Sequence, residues 1–270
     1  MKVIGQTNLL NTINAYNLES CPRFLLVVGD SGCGKHVIAD YISDHLNIIT
    51  VDTTNAVADV RNIVTEAYIQ TEPTLYRFFD IDNMSVQAKN SILKITEEPP
   101  RLSYFCMTAC NKDNVLPTIL SRATVLTIEP YTYSDILEFI DVFGLKLSEN
   151  NKKILSEIVT NPQHLNLISQ YGFKSFLDYC YKIADNISEY DGPEAFKLFN
   201  KVTDKTNPYD TILVLNTLSH IFFEKYLGSG NIGYKNCISL ISKYKGQLNI
   251  SSVNKSYLLD SLLLDIRQEI

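Results

Sequence analysis

Apolar positions along the first 130 residues alternate between short unbroken runs and stretches of helical spacing. "FLLVV" (24–28) is an unbroken run bounded by Pro22 and Gly29, as expected of a parallel strand buried on both faces. "HVIADYISDHL" (36–46) then has helical spacing. Further strands are predicted at "NIITVD" (47–52), "LYRFFDI" (75–81), "SYFCMTA" (103–109) and "ATVLTI" (123–128). Helices are predicted between them at "DVRNIVTEAYIQ" (59–70) and "SVQAKNSILKI" (85–95). The latter places Ala88, Ser91, Ile92 and Ile95 on one face. Strands alternating with helices imply a parallel sheet covered on both faces, an α/β architecture.

The pattern changes at Pro130, after which no strand is predicted. "YSDILEFIDVFG" closes at Gly144, and "ENNKKILSEIVT", "PQHLNLISQYG" and "FKSFLDYCYKIADNI" follow as helices. "DGP" (191–193) is a strong break. The last helix, "NKSYLLDSLLLDIRQEI", carries an apolar stripe of Leu259, Leu262, Leu263 and Ile266. The expected organisation is an α/β domain at 1–129, a helical unit at 130–190 and a second helical unit at 191–270.

Composition narrows the reading without redirecting it. The chain has 270 residues, 45% hydrophobic and 20% charged, long enough for more than one packed unit. No apolar run approaches membrane-spanning length, and the N-terminus lacks a signal-peptide pattern. Six cysteines without a close CxxC pair read as reduced cytosolic thiols. Cys33, Cys106 and Cys110 are expected to be buried and inert. The four histidines have no metal-ligand spacing. A net charge of −6 argues against coating nucleic acid unaided. Lys243 and Lys245 are expected at a solvated helix end.

The chemistry concentrates in "VVGDSGCGKH" (27–36). Gly29, Asp30, Ser31, Gly32, Cys33, Gly34 and Lys35 match a phosphate-binding loop between a strand and a helix. Glycines let backbone N–H groups turn toward phosphate oxygens. The helix N-terminus and Lys35 add positive charge. His36, however, stands where the pattern has a Ser or Thr hydroxyl for Mg²⁺, and imidazole is a poor ligand for that hard cation. The acids that would complete a magnesium site fall in "FFDIDNM". There Asp80 and Asp82 are candidates, with Ile81 between them. Phosphate binding and hydrolysis are therefore separate questions here.

Two longer motifs follow. "ILKITEEPP" (92–100) precedes the fourth strand and "LPTILSR" (116–122) follows it. With these in order, the chain resembles the clamp-loader branch of the AAA+ ATPases. The likeness is to the delta-prime and gamma/tau subunits of bacterial DNA polymerase III and to the small subunits of replication factor C. "VIGQTNLLNTI" resembles that family's opening motif, and "NISSVNKSYLLDSLLLDI" the end of its collar domain, so the resemblance spans nearly the whole chain. It implies a P-loop core, a helical lid and a helical collar. It implies ATP as ligand, with other loader subunits, a sliding clamp and primer–template DNA as partners. It also implies a cytoplasmic setting, in a bacterium or an infected host cell, with no membrane partner.

Carried over residue by residue, the resemblance makes Arg122 an arginine finger acting on a neighbouring subunit's ATP. It makes Asn111 a polar sensor, and His164 stands where a second sensor is usually Arg. The zinc-binding cysteines of the bacterial subunits are absent, so no zinc is expected. One alignment puts Phe79 at the metal-linked Asp and Asp80 at the catalytic Glu; a one-residue gap puts Asp80 and Ile81 there instead. Either way the site departs from the active pattern, as in delta-prime members. The expected function is a clamp-loader subunit with weak or no ATPase of its own. The alternatives are an active loader ATPase holding Mg²⁺ through Asp80 or Asp82, a P-loop phosphotransferase, or a scaffold with a vestigial loop.

Overall fold

The computed structural model describes residues 3–189, 209–248 and 254–270. The chain divides into two compact units, 1–132 and 133–270. The expected boundary at 190/191 and the "DGP" break lie outside the described residues.

The first unit holds five parallel strands: β1 (Phe24–Val28), β2 (Ile49–Thr53), β3 (Thr74–Phe78), β4 (Ser103–Ala109) and β5 (Thr124–Thr127). Their order is β2-β3-β4-β1-β5, and every pairing is parallel. β1 and β4 lie inside the sheet and are buried at every position, which is why they read as unbroken apolar runs. Alternation along each strand divides the core into two layers. Leu25, Val27, Tyr104 and Cys106 pack with Leu9 and Ile13 of α1 (Thr7–Asn14) and with Ile38, Ala39 and Ile42 of α2 (Lys35–Leu46). Leu26, Phe78, Phe105 and Met107 pack on the other face. There they meet Val60 and Ile63 of α3 (Val57–Ala67) and Ala88, Ile92 and Ile95 of α4 (Val86–Glu97). Phe24 and Phe105 stack across the β1–β4 pair at 4.8 Å.

β1 is flanked by β4 and β5, yet the chain leaving it crosses to β2 at the far edge. The loop after β1 therefore opens at the carboxyl ends of the central strands, where open α/β sheets bind ligands.

Every regular element described in the second unit is a helix: α6 (Tyr133–Val142), α7 (Glu149–Ile158), α8 (Pro162–Tyr171), α9 (Phe173–Glu189), α10 (Thr211–Ser229), α11 (Ile232–Leu248) and α12 (Lys255–Glu269). A short α5 (Pro117–Leu120) belongs to the first unit. The side chains of Ser148, Asn161, Asp210 and Asn254 cap α7, α8, α10 and α12. α10 buries residues all round, from Leu213 to Phe222, and so lies within the unit's core. The stripe of Leu259, Leu262, Leu263 and Ile266 is wholly buried. Lys245 departs from its expected solvated position. It is half-buried and donates to Asn216 Oδ1, and burial pushes its ammonium below the usual lysine range.

Candidate nucleotide-binding site

The loop from Gly29 to Gly34 is held at both ends. Gly29 N–H donates to the Ala109 carbonyl at 3.2 Å, extending the β1–β4 pairing by one rung. A Cβ at Gly29 would come within 2.6 Å of Cys33 Sγ and 3.1 Å of Ile128 Cβ, so the position admits no side chain. Gly34 has φ +95°, a left-handed conformation that favours glycine. Asp30 and Ser31 form the exposed tip, and Gly32 is partly covered. Cys33 is buried, and burial raises its thiol pKa. Its carbonyl accepts from the Tyr131 hydroxyl at 2.7 Å.

Lys35, the first residue of α2, is only 5% exposed. Its ammonium donates to the Gly29 carbonyl at 2.9 Å, the Asp30 carbonyl at 3.0 Å and Cys110 Sγ at 3.2 Å. The positive charge therefore sits at the carboxyl ends of β1 and β4. Cys110 departs from expectation here: it is partly exposed just past β4, with its sulfur on Lys35. Cys106 is buried as expected, and burial pushes its thiol up to about 12.

His36 meets Phe79, with ring centroids 4.0 Å apart and an interplanar angle of 33°. Phe78 faces the layer of α3 and α4, so Phe79, one residue on, packs with the layer of α2. The Arg77 guanidinium lies 5.4 Å from the Phe79 ring centroid. It is held by Asp40 and by both oxygens of Asp52, at 2.6 and 3.0 Å. The Asp52 hydrogen bond raises the Arg77 pKa against the opposing effect of burial.

Asp80 begins a turn at φ +52°, and its N–H donates to Thr108 Oγ1 at 2.8 Å. Asp82 Oδ2 accepts the N–H groups of Cys110 and Asn111 at 3.0 and 3.2 Å. Buried Lys89 donates to the carbonyls of Asp82 and Asn114. Asp82 and Lys89 thus tie the turn after β3 to the segment after β4. Asn111 Oδ1 accepts from Asp113 N–H at 2.8 Å, capping a short 3₁₀ turn over Lys112–Asn114. Among the described residues, no group of three or more His, Cys, Asp or Glu is arranged to hold a metal ion.

Arg122 lies just beyond α5. It donates to the Thr118 carbonyl at 3.1 Å and lies 3.7 Å from Glu97 of the "EEPP" motif, with both side chains substantially exposed. His164 belongs to the second unit and is 2% exposed. It lies 3.2 Å from Asp210 Oδ1, and its N–H caps onto Asn161 Oδ1 at 3.1 Å. Burial raises the Asp210 carboxyl pKa. The His164 interaction and the N–H groups of Leu213 and Ile212 outweigh that, leaving it below the usual carboxylate range.

The structure brings together the loop, Lys35, His36 and the strand end. Asp82 and Asn111 join them through backbone contacts, and Arg122 pairs with Glu97 of the first long motif. Sequence reasoning assigned no contact role to Cys110 or Tyr131. Phe79 had a weak signal, because alternation after Phe78 puts it on the α2 face.

The family described as "DNA polymerase III, delta subunit" matches residues 38–132. The gamma subunit of DNA polymerase III from Buchnera aphidicola subsp. Schizaphis graminum is 24% identical over 209 residues, 66% of this chain. The chain spans 55% of that relative's length. A gamma subunit-related protein from Thermotoga maritima superposes with a TM-score of 0.50 at 16% identity, covering 97% of this chain and 99% of that one. The FIGL-1 AAA domain in complex with ADP gives a TM-score of 0.52 at 12% identity, over 70% and 76% of the two chains. The Thermotoga maritima RuvB Holliday junction branch migration motor gives 0.51 at 14% identity, over 96% and 88%. The fold is thus that of AAA+ proteins. In sequence and fold the chain resembles a clamp-loader subunit of the DNA polymerase III gamma/delta type. No described helix is long and apolar enough to cross a membrane.

Proposed function

Taking that likeness as premise, we propose that this chain is a subunit of a DNA polymerase sliding-clamp loader. It works with other loader subunits in the cytoplasm and takes part in ATP-dependent placement of the clamp on primer–template DNA. Within that assembly it is the delta-prime-like member: it binds nucleotide through its loop, hydrolyses it poorly or not at all, and presents Arg122 to a neighbour's ATP. The division into core, lid and collar at 1–129, 130–190 and 191–270 belongs to the same reading.

The observation that carries it is the His36–Phe79 contact at 4.0 Å. Magnesium takes six hard oxygen ligands, and the two positions that would help hold it are filled by an imidazole against a phenyl ring. The residues at this corner do not fit the ion. The contact supports the alignment in which Phe79 stands at the metal-linked position. Asp82 has Oδ2 on two backbone N–H groups while its Oδ1 is buried without a hydrogen-bond partner, and Asp80 is the other nearby acid.

The phosphate cradle, by contrast, retains its parts. The glycines, the buried Lys35 and the α2 N-terminus suit a nucleoside di- or triphosphate. Arg122 is exposed and lightly held, as a group reaching into another subunit must be. The test is ATP turnover by the purified chain in Mg²⁺. The expected result is turnover indistinguishable from the enzyme-free background. Steady turnover that disappears in Asp80→Asn would instead establish an active loader ATPase.

A further inference from the structure

The phosphate loop has a support outside the loop sequence itself. Tyr131 follows β5, its ring packs against the layer containing α2, and its hydroxyl donates to the Cys33 carbonyl at 2.7 Å. A Cβ at Gly34 would lie 3.5 Å from that same hydroxyl oxygen. The Cys33–Gly34 peptide is therefore flanked directly by Tyr131.

We propose that Tyr131 is a positioning residue of the phosphate cradle, holding the Cys33–Gly34 peptide so that the Gly34 N–H faces bound phosphate. The proposal rests on the nucleotide-binding reading above. A trans peptide is planar, with C=O and N–H on opposite sides. Fixing the Cys33 carbonyl toward Tyr131 turns the Gly34 N–H away from Tyr131. A cradle needs its N–H groups pointing inward and its carbonyls outward. Gly34 at φ +95° has little intrinsic preference to hold one orientation, so an external hydrogen bond on this peptide removes a freedom that binding would otherwise have to freeze. The other end of the loop is fixed by the Gly29–Ala109 bond. Tyr131 supplies the matching restraint at the end nearest α2.

The experiment compares wild type, Tyr131→Phe and Lys35→Ala as full-length chains. ADP binding is measured by calorimetry, and pyrophosphate by competition against a fluorescent ADP. Tyr131→Phe keeps the ring and removes only the hydroxyl, so its melting temperature should stay within about 2 °C of wild type. ADP and pyrophosphate should both bind on the order of fivefold to tenfold more weakly, the loss expected of one neutral hydrogen bond. In ¹⁵N-glycine-labelled protein, the Gly34 amide resonance should shift on ADP addition in wild type and much less in Tyr131→Phe. That second readout separates positioning from packing, which the phenyl ring preserves. Equal ADP affinity and equal Gly34 shifts in wild type and Tyr131→Phe would overturn the proposal while leaving the nucleotide-binding reading intact. Absence of ADP binding by wild type would overturn both.

Discussion

Two neighbouring parts of the first unit differ sharply. In the loop, a Cβ at Gly29 would press on Cys33 and Ile128, Gly34 holds a left-handed φ of +95°, and Lys35 is buried with its charge on loop carbonyls and Cys110. One residue further on, His36 turns its ring onto Phe79. In the proposed reading the loop suits an anion, and the adjoining corner offers two rings where a hard cation would need oxygens. On that reading, the difference teaches that phosphate recognition and metal-assisted hydrolysis rest on separable side chains, even when those side chains are adjacent in the chain.

The largest effect expected to break this comparison lies in a neighbour's site rather than this one. In a loader reconstituted with an adjoining ATPase subunit, Arg122→Ala should cut hydrolysis by roughly a thousandfold. The variant's own ADP affinity and melting temperature should not change, because an exposed pair at 3.7 Å from Glu97 contributes little. Hydrolysis assays of the assembly and calorimetry of the subunit check the two halves. Lys35→Ala comes next and should weaken ADP binding by about a hundredfold, since it removes a charge-assisted contact to phosphate. A titration with ADP reads this directly.

The comparison is sharpened by rebuilding the altered corner. His36→Ser with Phe79→Asp replaces both rings with oxygen ligands. In that double variant Mg²⁺ should tighten ATP binding by about tenfold, whereas in either single variant the gain should be smaller. ATP titrations with and without Mg²⁺ measure it. The smallest expected effect is in the second unit. Asp210 has a lowered carboxyl pKa, so the stability it contributes is present above the ordinary carboxylate range and is lost as pH falls through its lowered value. Asp210→Ala should cost about 1 kcal/mol at pH 7 through loss of the α10 cap, and the cost should shrink toward pH 3. Denaturant melts at the two pH values test it, with ADP affinity unchanged.

Much of the fold was legible because burial follows periodicity. The strands and the helices α2–α4 and α6–α9 fall where apolar runs and helical spacing put them, except that β3 ends at Phe78, short of the expected Ile81, because Asp80 turns the chain at φ +52°. The short α5 had no such signal, and the stripe on α12 is buried as expected. The loop's place between a strand and a helix was legible for a related reason: its pattern lies in ten consecutive residues. Contacts made by distant residues were not. Lys35 meets Cys110 across 75 positions, and Tyr131 reaches Cys33 across 98. No local pattern encodes either. The register after β3 stayed open between two alignments, because the choice depends on which layer Phe79 joins. Lys245 looked solvated because its partner, Asn216, lies on another helix that no local pattern brings to it.

The most direct test of the central claim is ADP and ATP binding to the full-length chain, measured once in Mg²⁺ and once in a chelator. The expected result is saturable binding whose affinity differs by less than about twofold between the two conditions, reflecting a phosphate cradle that works without the metal. Binding at least about tenfold tighter in Mg²⁺ would contradict it, because the ion would then be held despite the His36–Phe79 contact. No binding in either condition would contradict it from the other side.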